Sequence, residues 1–414
     1  MSLRRNWTFV GVAGALALGT VACVQATGSQ DDPIKASGGG DLSVVAEGGV
    51  QAKVEPTGVP KAEPNWKEDV LMTGFNTPWG LAFLPDGRML VTERAGRLLI
   101  VDPKTGAKTE VSGLPETIEV GQGGLMDVVL HPKFAQNGLV YMTTVQGTRQ
   151  GNYTVLARGK LVGNQLQNAE VIFKPNFAKP GGQHFGSRIV WMADGTLLMS
   201  IGDGGNPPSA INGRLTRHHV QDLGSHIGKV LRLDENGKAP KNNPFVGKEG
   251  SLPEIYSLGH RNIQGMARDP KSGRVYANEH GARGGDEVNV IEAGKNYGWP
   301  EATFSFEYSG PKISDNTSLP GMVDPLVAWT PCPAPCGMAF YSGEKYPKWK
   351  GDVFSGGLAG QDVRRIDLDD QGRVLGITQL NMGSRVRDVR QGPDGFLYVL
   401  TEGANARLSR IVLN

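Results

Sequence analysis

From Trp66 onward, apolar and polar residues alternate in short runs, and turns built from Pro, Asp and Gly separate the runs. A period of two over five or six residues predicts a strand with one face in a core, and such turns end each strand abruptly. The clearest repeats of turn plus strand are Leu84-Pro-Asp-Gly-Arg-Met-Leu-Val-Thr-Glu93, Met192-Ala-Asp-Gly-Thr-Leu-Leu-Met-Ser-Ile201 and Gly392-Pro-Asp-Gly-Phe-Leu-Tyr-Val-Leu-Thr-Glu402. Looser copies are His131-Pro-Lys-Phe-Ala-Gln-Asn-Gly-Leu-Val-Tyr141, Asp269-Pro-Lys-Ser-Gly-Arg-Val-Tyr-Ala-Asn-Glu279 and the degenerate Lys348-Trp-Lys-Gly-Asp-Val-Phe354. The strands close on small polar or acidic residues. Six units over about 350 residues recur roughly every 58, the length of a four-stranded sheet with a generous loop.

This spacing predicts an all-β fold, a six-bladed β-propeller over residues 65–414, because such sheets bury both faces only by stacking around a ring. At 414 residues the chain exceeds the usual single-core size, and a ring accounts for one domain at that length. The alternative all-β arrangement, a pair of sandwiches, asks for a linker, and no linker-like break follows residue 65. The 59 glycines, 26 prolines and 7% aromatic residues argue against a helical bundle.

The first residues read as an export signal over residues 1–22. Arg4 and Arg5 precede an apolar run, Val10 to Ala22, too short to span a bilayer comfortably. Cys23 follows Ala22 as in a bacterial lipoprotein site, although Thr20 departs from the usual Leu or Val. Either acylation of Cys23 or ordinary signal cleavage follows, with a periplasmic or membrane-anchored product. Residues 23–64, rich in Gly, Ser, Ala, Asp and Pro, read as a flexible tether. Cys332 and Cys336, four apart, predict a short local disulfide in an oxidising compartment. With 43 basic against 41 acidic residues the net charge is +2, which gives no reason to propose a nucleic-acid partner.

Candidate chemistry lies in the loops between repeats. Gly181-Gly-Gln-His-Phe-Gly-Ser-Arg188 holds His184, and one strand later Ile201-Gly-Asp-Gly-Gly205 holds Asp203, a possible general base and the carboxylate that orients it. Gln122, in Gly121-Gln-Gly-Gly-Leu-Met-Asp127, suits a hydroxyl-bearing ligand or a plain turn. Arg261 and Asn262, in Leu258-Gly-His-Arg-Asn-Ile-Gln-Gly265, suit a carboxylate or carbonyl ligand, or surface ion pairing. Arg385 and Arg387 lie two apart on one strand face, with Asp388 on the other, so they call for an anion or paired acids, or are simply solvated. Glu279-His-Gly-Ala-Arg-Gly-Gly-Asp-Glu287 has the glycine- and oxygen-rich character of a hard-cation loop, or of a solvated one.

Together these segments, with Asn76-Thr-Pro-Trp-Gly80 and Asn296-Tyr-Gly-Trp-Pro300, resemble the soluble pyrroloquinoline-quinone (PQQ)-dependent aldose sugar dehydrogenases of the glucose/sorbosone dehydrogenase family. The resemblance runs to Thr401 and implies oxidation of aldoses to lactones, with hydride passing to the quinone. It implies that His184 is the base, that Asp203 orients it, that Arg261 lies beside the quinone carbonyl, and that Gln122 contacts the sugar. Asn262, Arg385 and Arg387 would hold the cofactor, and the main-chain carbonyls of Gly281 and Ala282 would hold a calcium ion. A membrane-side electron acceptor completes the scheme.

Two departures matter. Gln183 stands where glucose-oxidising members carry an acid, so strict glucose preference is not expected, and Gln183 counts among the substrate-facing residues. Ala359, in Gly357-Leu-Ala-Gly360, stands where those members place a cofactor-binding lysine. Trp329 and Thr330 fall near a stretch that borders the substrate, or Trp329 is core. Two other classes stay open: a calcium-dependent propeller lactonase, needing metal-bound water and channel carboxylates, and a non-catalytic glycan- or protein-binding propeller, needing no His184.

Overall fold

The computed structural model describes residues 56–205 and 209–414, which form six blade sheets and one two-stranded sheet. The expected signal peptide, Cys23 and the tether up to residue 55 lie outside the described residues. Blades one, two and four are consecutive four-stranded sheets spanning 78–110, 125–173 and 263–329. Blade three, 189–258, carries a hairpin and the short 3-10 helix Thr216–Gln221 between its second and third strands. Blade five spans 335–381, and blade six takes its outer strand, Trp66–Phe75, from the start of the propeller. That strand pairs antiparallel with Ala406–Leu413 and closes the ring.

The end of the expected tether is built into the fold. Lys61–Ala62 adds a parallel fifth strand to blade five, and the Thr57 amide donates to Ala328 O at 2.9 Å.

All six repeats fall at one structural position: each supplies the turn after a blade's first strand and the second strand that follows. Local turn chemistry fixes this, since Asp-Gly pairs reverse the chain and alternating Leu, Val, Met and Tyr fill both faces of a strand stacked between neighbours. Six apolar layers form between successive blades. Leu90, Leu98 and Ile100 of blade one, for example, pack with Val128, Val140 and Met142 of blade two, all buried.

The first strands, Pro78–Phe83, Leu125–Leu130, Ile189–Trp191, Ile263–Arg268, Pro335–Phe340 and Val386–Gln391, pack against one another around the channel. A buried charge cluster crosses it. Arg188 contacts Asp127 and Asp388, each at 3.1 Å, and Arg390 reaches the same two acids at 2.7 and 2.9 Å. Asp127 also accepts the Ile189 amide, Asp388 accepts the Leu81 amide, and Arg188 donates to Gln264 O. The Trp79 ring lies 4.4 Å from the Arg188 guanidinium. Two cations and two anions offset the desolvation that either sign alone would suffer, although one terminal nitrogen of Arg188 is buried without a partner among the described residues.

Removing one partner strands the others. Asp127→Ala is expected to cost about 3–5 kcal/mol, read as a lower denaturant midpoint at unchanged slope; a loss below about 1 kcal/mol would contradict a cluster that ties the blades together.

Candidate active site

A carboxylate at the end of a blade's second strand recurs, and in each case it grips the loop leading into that blade's first strand. Glu93 accepts the Asn76 amide at 2.7 Å, and Asp203 accepts from His184. Glu279 accepts the Arg261 amide at 2.7 Å, and Glu402 pairs with Arg385 at 2.7 Å. The loops so held lie at one end of the channel and carry nearly all of the residues singled out above.

His184 Nδ1 meets Asp203 Oδ1 at 2.7 Å, and both side chains are buried. The His184 backbone is left-handed, φ 47°, which is unfavourable for a residue with a Cβ. Three bonds hold the loop there. The His184 amide donates to Gln122 Oε1 at 3.1 Å, Gly186 N to Asn262 Oδ1 at 3.0 Å, and Lys179 Nζ to Gln183 O at 2.7 Å. Gly202 is required beneath it, because a Cβ there would sit 2.2 Å from His184 O.

Burial, aided by the Arg261 and Lys179 charges and opposed by Asp203, pulls the His184 imidazole down to about 4. The ring is therefore neutral at pH 7, and with Nδ1–H committed to Asp203, Nε2 is the atom that can accept a proton. Burial pushes the Asp203 carboxyl up, but the His184 ring, the Arg261 charge and the Gly205 amide outweigh it and hold the carboxyl below its ordinary range. The second Asp203 oxygen accepts the Trp299 indole N–H at 2.9 Å. Burial brings the Lys179 ammonium down to about 7, and it lies 3.6 Å from the centre of the Phe185 ring.

Arg261 is buried, with its guanidinium on His280 O at 3.1 Å and on Gly281 O. Its Nε has no partner among the described residues. Asn262 lies beside it, fully buried, with Nδ2 facing His280 Nδ1 at 3.5 Å. Burial, with the His184 imidazole and the Arg261 guanidinium close by, holds His280 well below the ordinary imidazole range, and Arg387 acts on it in the same direction. His280 thus lies within electrostatic reach of the groups from blades three, four and six. The Gly281 amide and the Ala334 amide both donate to Asp286 at 2.7 Å, which fixes the backbone of the Gly281–Ala282 turn. Burial raises the Asp286 carboxyl to about 6.

Arg385 and Arg387 do share a face, and Asp388 points away into the channel cluster. Of the expected anion or paired acids, the described residues supply an acid: Glu402 pairs with both. Burial pushes Glu402 up, but the two guanidiniums outweigh it and take the carboxyl to about 2. Arg387 also donates to Gln264 Oε1 at 2.9 Å and faces Cys336 Sγ at 3.3 Å, while its Nε is buried without a partner among the described residues.

Three further expectations resolve. Cys332 and Cys336 are free thiols rather than a disulfide, since Cys332 Sγ turns to Ala282 O at 3.5 Å and Cys336 Sγ to Gln264 O and Arg387. Trp329 is core, with no exposed surface and its ring 5.0 Å from the Arg364 guanidinium, whereas Thr330 accepts the Gly285 amide. Ala359 is exposed and carries only its amide bond to Pro333 O. Gln122 is exposed beside the base and Gln183 is half-buried.

Sequence reasoning missed Lys179, Trp299 and Glu402 as members of this site. Glu402 ends a recognised repeat and Trp299 lies in Asn296-Tyr-Gly-Trp-Pro300, so both had a signal; Lys179 had none.

Comparison with known proteins agrees with the fold. The Glucose / Sorbosone dehydrogenase family model matches residues 75–410. The chain is 46% identical to the uncharacterized protein slr1608 of Synechocystis, covering 90% of this chain and 93% of that one. It is 38% identical to the aldose sugar dehydrogenase YliI of Escherichia coli, covering 83% and 92% respectively. The PQQ-bound aldose sugar dehydrogenase of Streptomyces coelicolor superposes with a TM-score of 0.69 at 31% identity, covering 86% of this chain and 100% of that one. With these matches and a six-bladed ring carrying the His184–Asp203 pair, the chain belongs to the glucose/sorbosone dehydrogenase family.

Proposed function

We propose that this protein oxidises aldose sugars to lactones with PQQ as hydride acceptor and a calcium ion beside it. The observation that carries the reading is the buried, neutral imidazole of His184 locked to Asp203 at 2.7 Å, with the Arg261 charge acting on it. Kinship with the PQQ-bound Streptomyces enzyme supports the choice of cofactor.

The residues present fit a polycarboxylate quinone. The Nε atoms of Arg261 and Arg387 are buried donors without acceptors among the described residues, a costly state that an anionic ligand relieves. Arg385, about two-fifths exposed, is open to the same ligand. Gly281 O already accepts the Arg261 guanidinium, so a calcium ion held there would take the place of that bond. Gly281 and Ala282 would hold the ion through their main-chain oxygens. When bound, the quinone would supply the hydride acceptor for the anomeric carbon, and the metal would polarise it.

The chain's own part is proton transfer and electrostatics. His184 Nε2 takes the proton of the anomeric hydroxyl. Asp203, already ionised, keeps the ring in the required tautomer and stabilises the imidazolium. Arg261 supplies fixed positive charge where negative charge develops. Gln122 and Gln183 border the base and present amides to the sugar hydroxyls, and a neutral Gln183 favours a broad aldose range. With Ala359 in place of a lysine and Glu402 sharing both arginines, quinone affinity is modest.

The lactonase alternative is disfavoured because Asp127 and Asp388, the carboxylates of the channel, are each paired with Arg188 and Arg390. A purely binding propeller leaves the His184–Asp203 pair without a use. The basic and apolar amino terminus supports export, with Cys23 placed for acylation.

Dye-linked oxidation of a panel of aldoses by the apoprotein, with and without quinone and calcium, tests the proposal. Activity is expected only with both additions; quinone-independent activity, or no quinone binding by absorbance, contradicts it. His184→Ala is expected to lower kcat by about 10²–10⁴-fold while quinone still binds. A depressed imidazole means the base is lost only as pH falls through its folded value. Hence kcat/KM is expected to stay flat from pH 7 down to about 5 and to fall below about 4; an acid limb near pH 6.5 would contradict the burial argument. Arg387→Met is expected to weaken quinone binding at least about tenfold, measured by absorbance titration.

A further inference from the structure

Asn296-Tyr-Gly-Trp-Pro300 is a motif that the reaction as described leaves unused. We infer that Trp299 is a positioning residue that fixes Asp203 and Arg261 relative to each other, its indole N–H holding the carboxylate and its ring face carrying the guanidinium. The inference rests on the proposed role of His184 as base.

Trp299 comes from blade four and Asp203 from blade three. The Trp299 Nε1–H donates to Asp203 Oδ2 at 2.9 Å, while Oδ1 accepts from His184 Nδ1 at 2.7 Å and from Gly205 N at 2.8 Å. Every direction of the carboxylate is thereby set, and with it the plane of the imidazole. The Arg261 guanidinium lies 5.1 Å from the centre of the Trp299 ring, within cation–π range. Arg217, paired with Glu307 at 2.6 Å, lies 5.9 Å from the same ring.

The indole is itself held. Trp299 N donates to Gly259 O at 3.0 Å, Trp299 O accepts from Gln221 at 2.7 Å, and Gln221 exchanges two hydrogen bonds with Asn296. Core tryptophans of this protein behave differently: the indole nitrogens of Trp79, Trp191 and Trp329 are buried with no partner among the described residues. Trp299 alone of these four spends its donor on a side chain, and that side chain is the one that orients the base.

Charged and titratable groups facing His184 are Asp203, Arg261, Lys179 and His280; those facing Asp203 are His184, Arg261 and Lys179. Removing the indole N–H leaves Oδ2 without its donor, which makes the carboxylate more basic and strengthens its hold on a protonated His184. The acid limb then moves to higher pH and the orientation of the ring loosens.

Trp299→Phe keeps the ring and deletes the donor. In the quinone- and calcium-loaded enzyme it is expected to lower kcat about tenfold, with the sugar KM within about twofold, and to shift the acid limb of the pH profile upward. Unchanged kcat with an unmoved acid limb overturns the inference and returns Trp299 to the core. If Trp299→Phe fails to fold, the indole ¹⁵N–H resonance of Trp299 in wild-type protein carries the test: it shifts as pH falls through the titration of His184, and a resonance that stays in place overturns the inference. An inactive His184→Ala beside a normal Trp299→Phe refutes only the role of Trp299, whereas an active His184→Ala refutes the base assignment itself.

Discussion

A carboxylate buried at the end of a blade's second strand is the constraint on which this site depends. Such a group is tolerated only when donors surround it, so each one dictates the course of the loop passing over it. Glu93, Asp203, Glu279 and Glu402 apply the same rule in four blades, and the donors they recruit are Asn76 N, His184 Nδ1, Arg261 N and the Arg385–Arg387 pair. One repeated packing requirement thus becomes scaffold in blade one and chemistry in blades three, four and six. The left-handed His184 is the visible cost of this arrangement, and Gln122, Asn262 and Lys179 sustain it.

The charge cluster in the channel is the complementary constraint. Asp127, Arg188, Asp388 and Arg390 join first strands and adjoining loop from three blades, and amides of Leu81 and Ile189 lock onto the same acids. Because the cluster balances itself, the positive field at the loop end of the channel comes from Arg261, Arg385 and Arg387, partly offset by Glu402. The low-dielectric setting that holds His184 neutral also makes Arg261 effective, since neither group is fully screened by water.

Much of the fold was legible because its signal is local. Turn residues and strand alternation occur within ten residues of one another, so the six repeats map onto one position in all six blades. His184 and Asp203 were legible for the same reason, each lying beside a repeat strand. The pairing of Arg387 with Glu402 was not, because it joins adjacent strands fifteen residues apart and strand-face reasoning reports only which residues share a side. Trp299 was hidden more deeply: its partner Asp203 is ninety-six residues away in another blade. The cysteines show the limit of spacing arguments, since Cys332 and Cys336 are close in sequence while their thiols turn to different neighbours.

The central claim is that His184 removes a hydroxyl proton as hydride leaves the anomeric carbon. Its most direct test is rapid-mixing reduction of the quinone-loaded protein by an aldose deuterated at that carbon. The account predicts a severalfold slower reduction with the label there and no change with the label at C2. Reduction insensitive to anomeric deuteration, with chemistry verified as the observed step by its dependence on solvent pH, would contradict it.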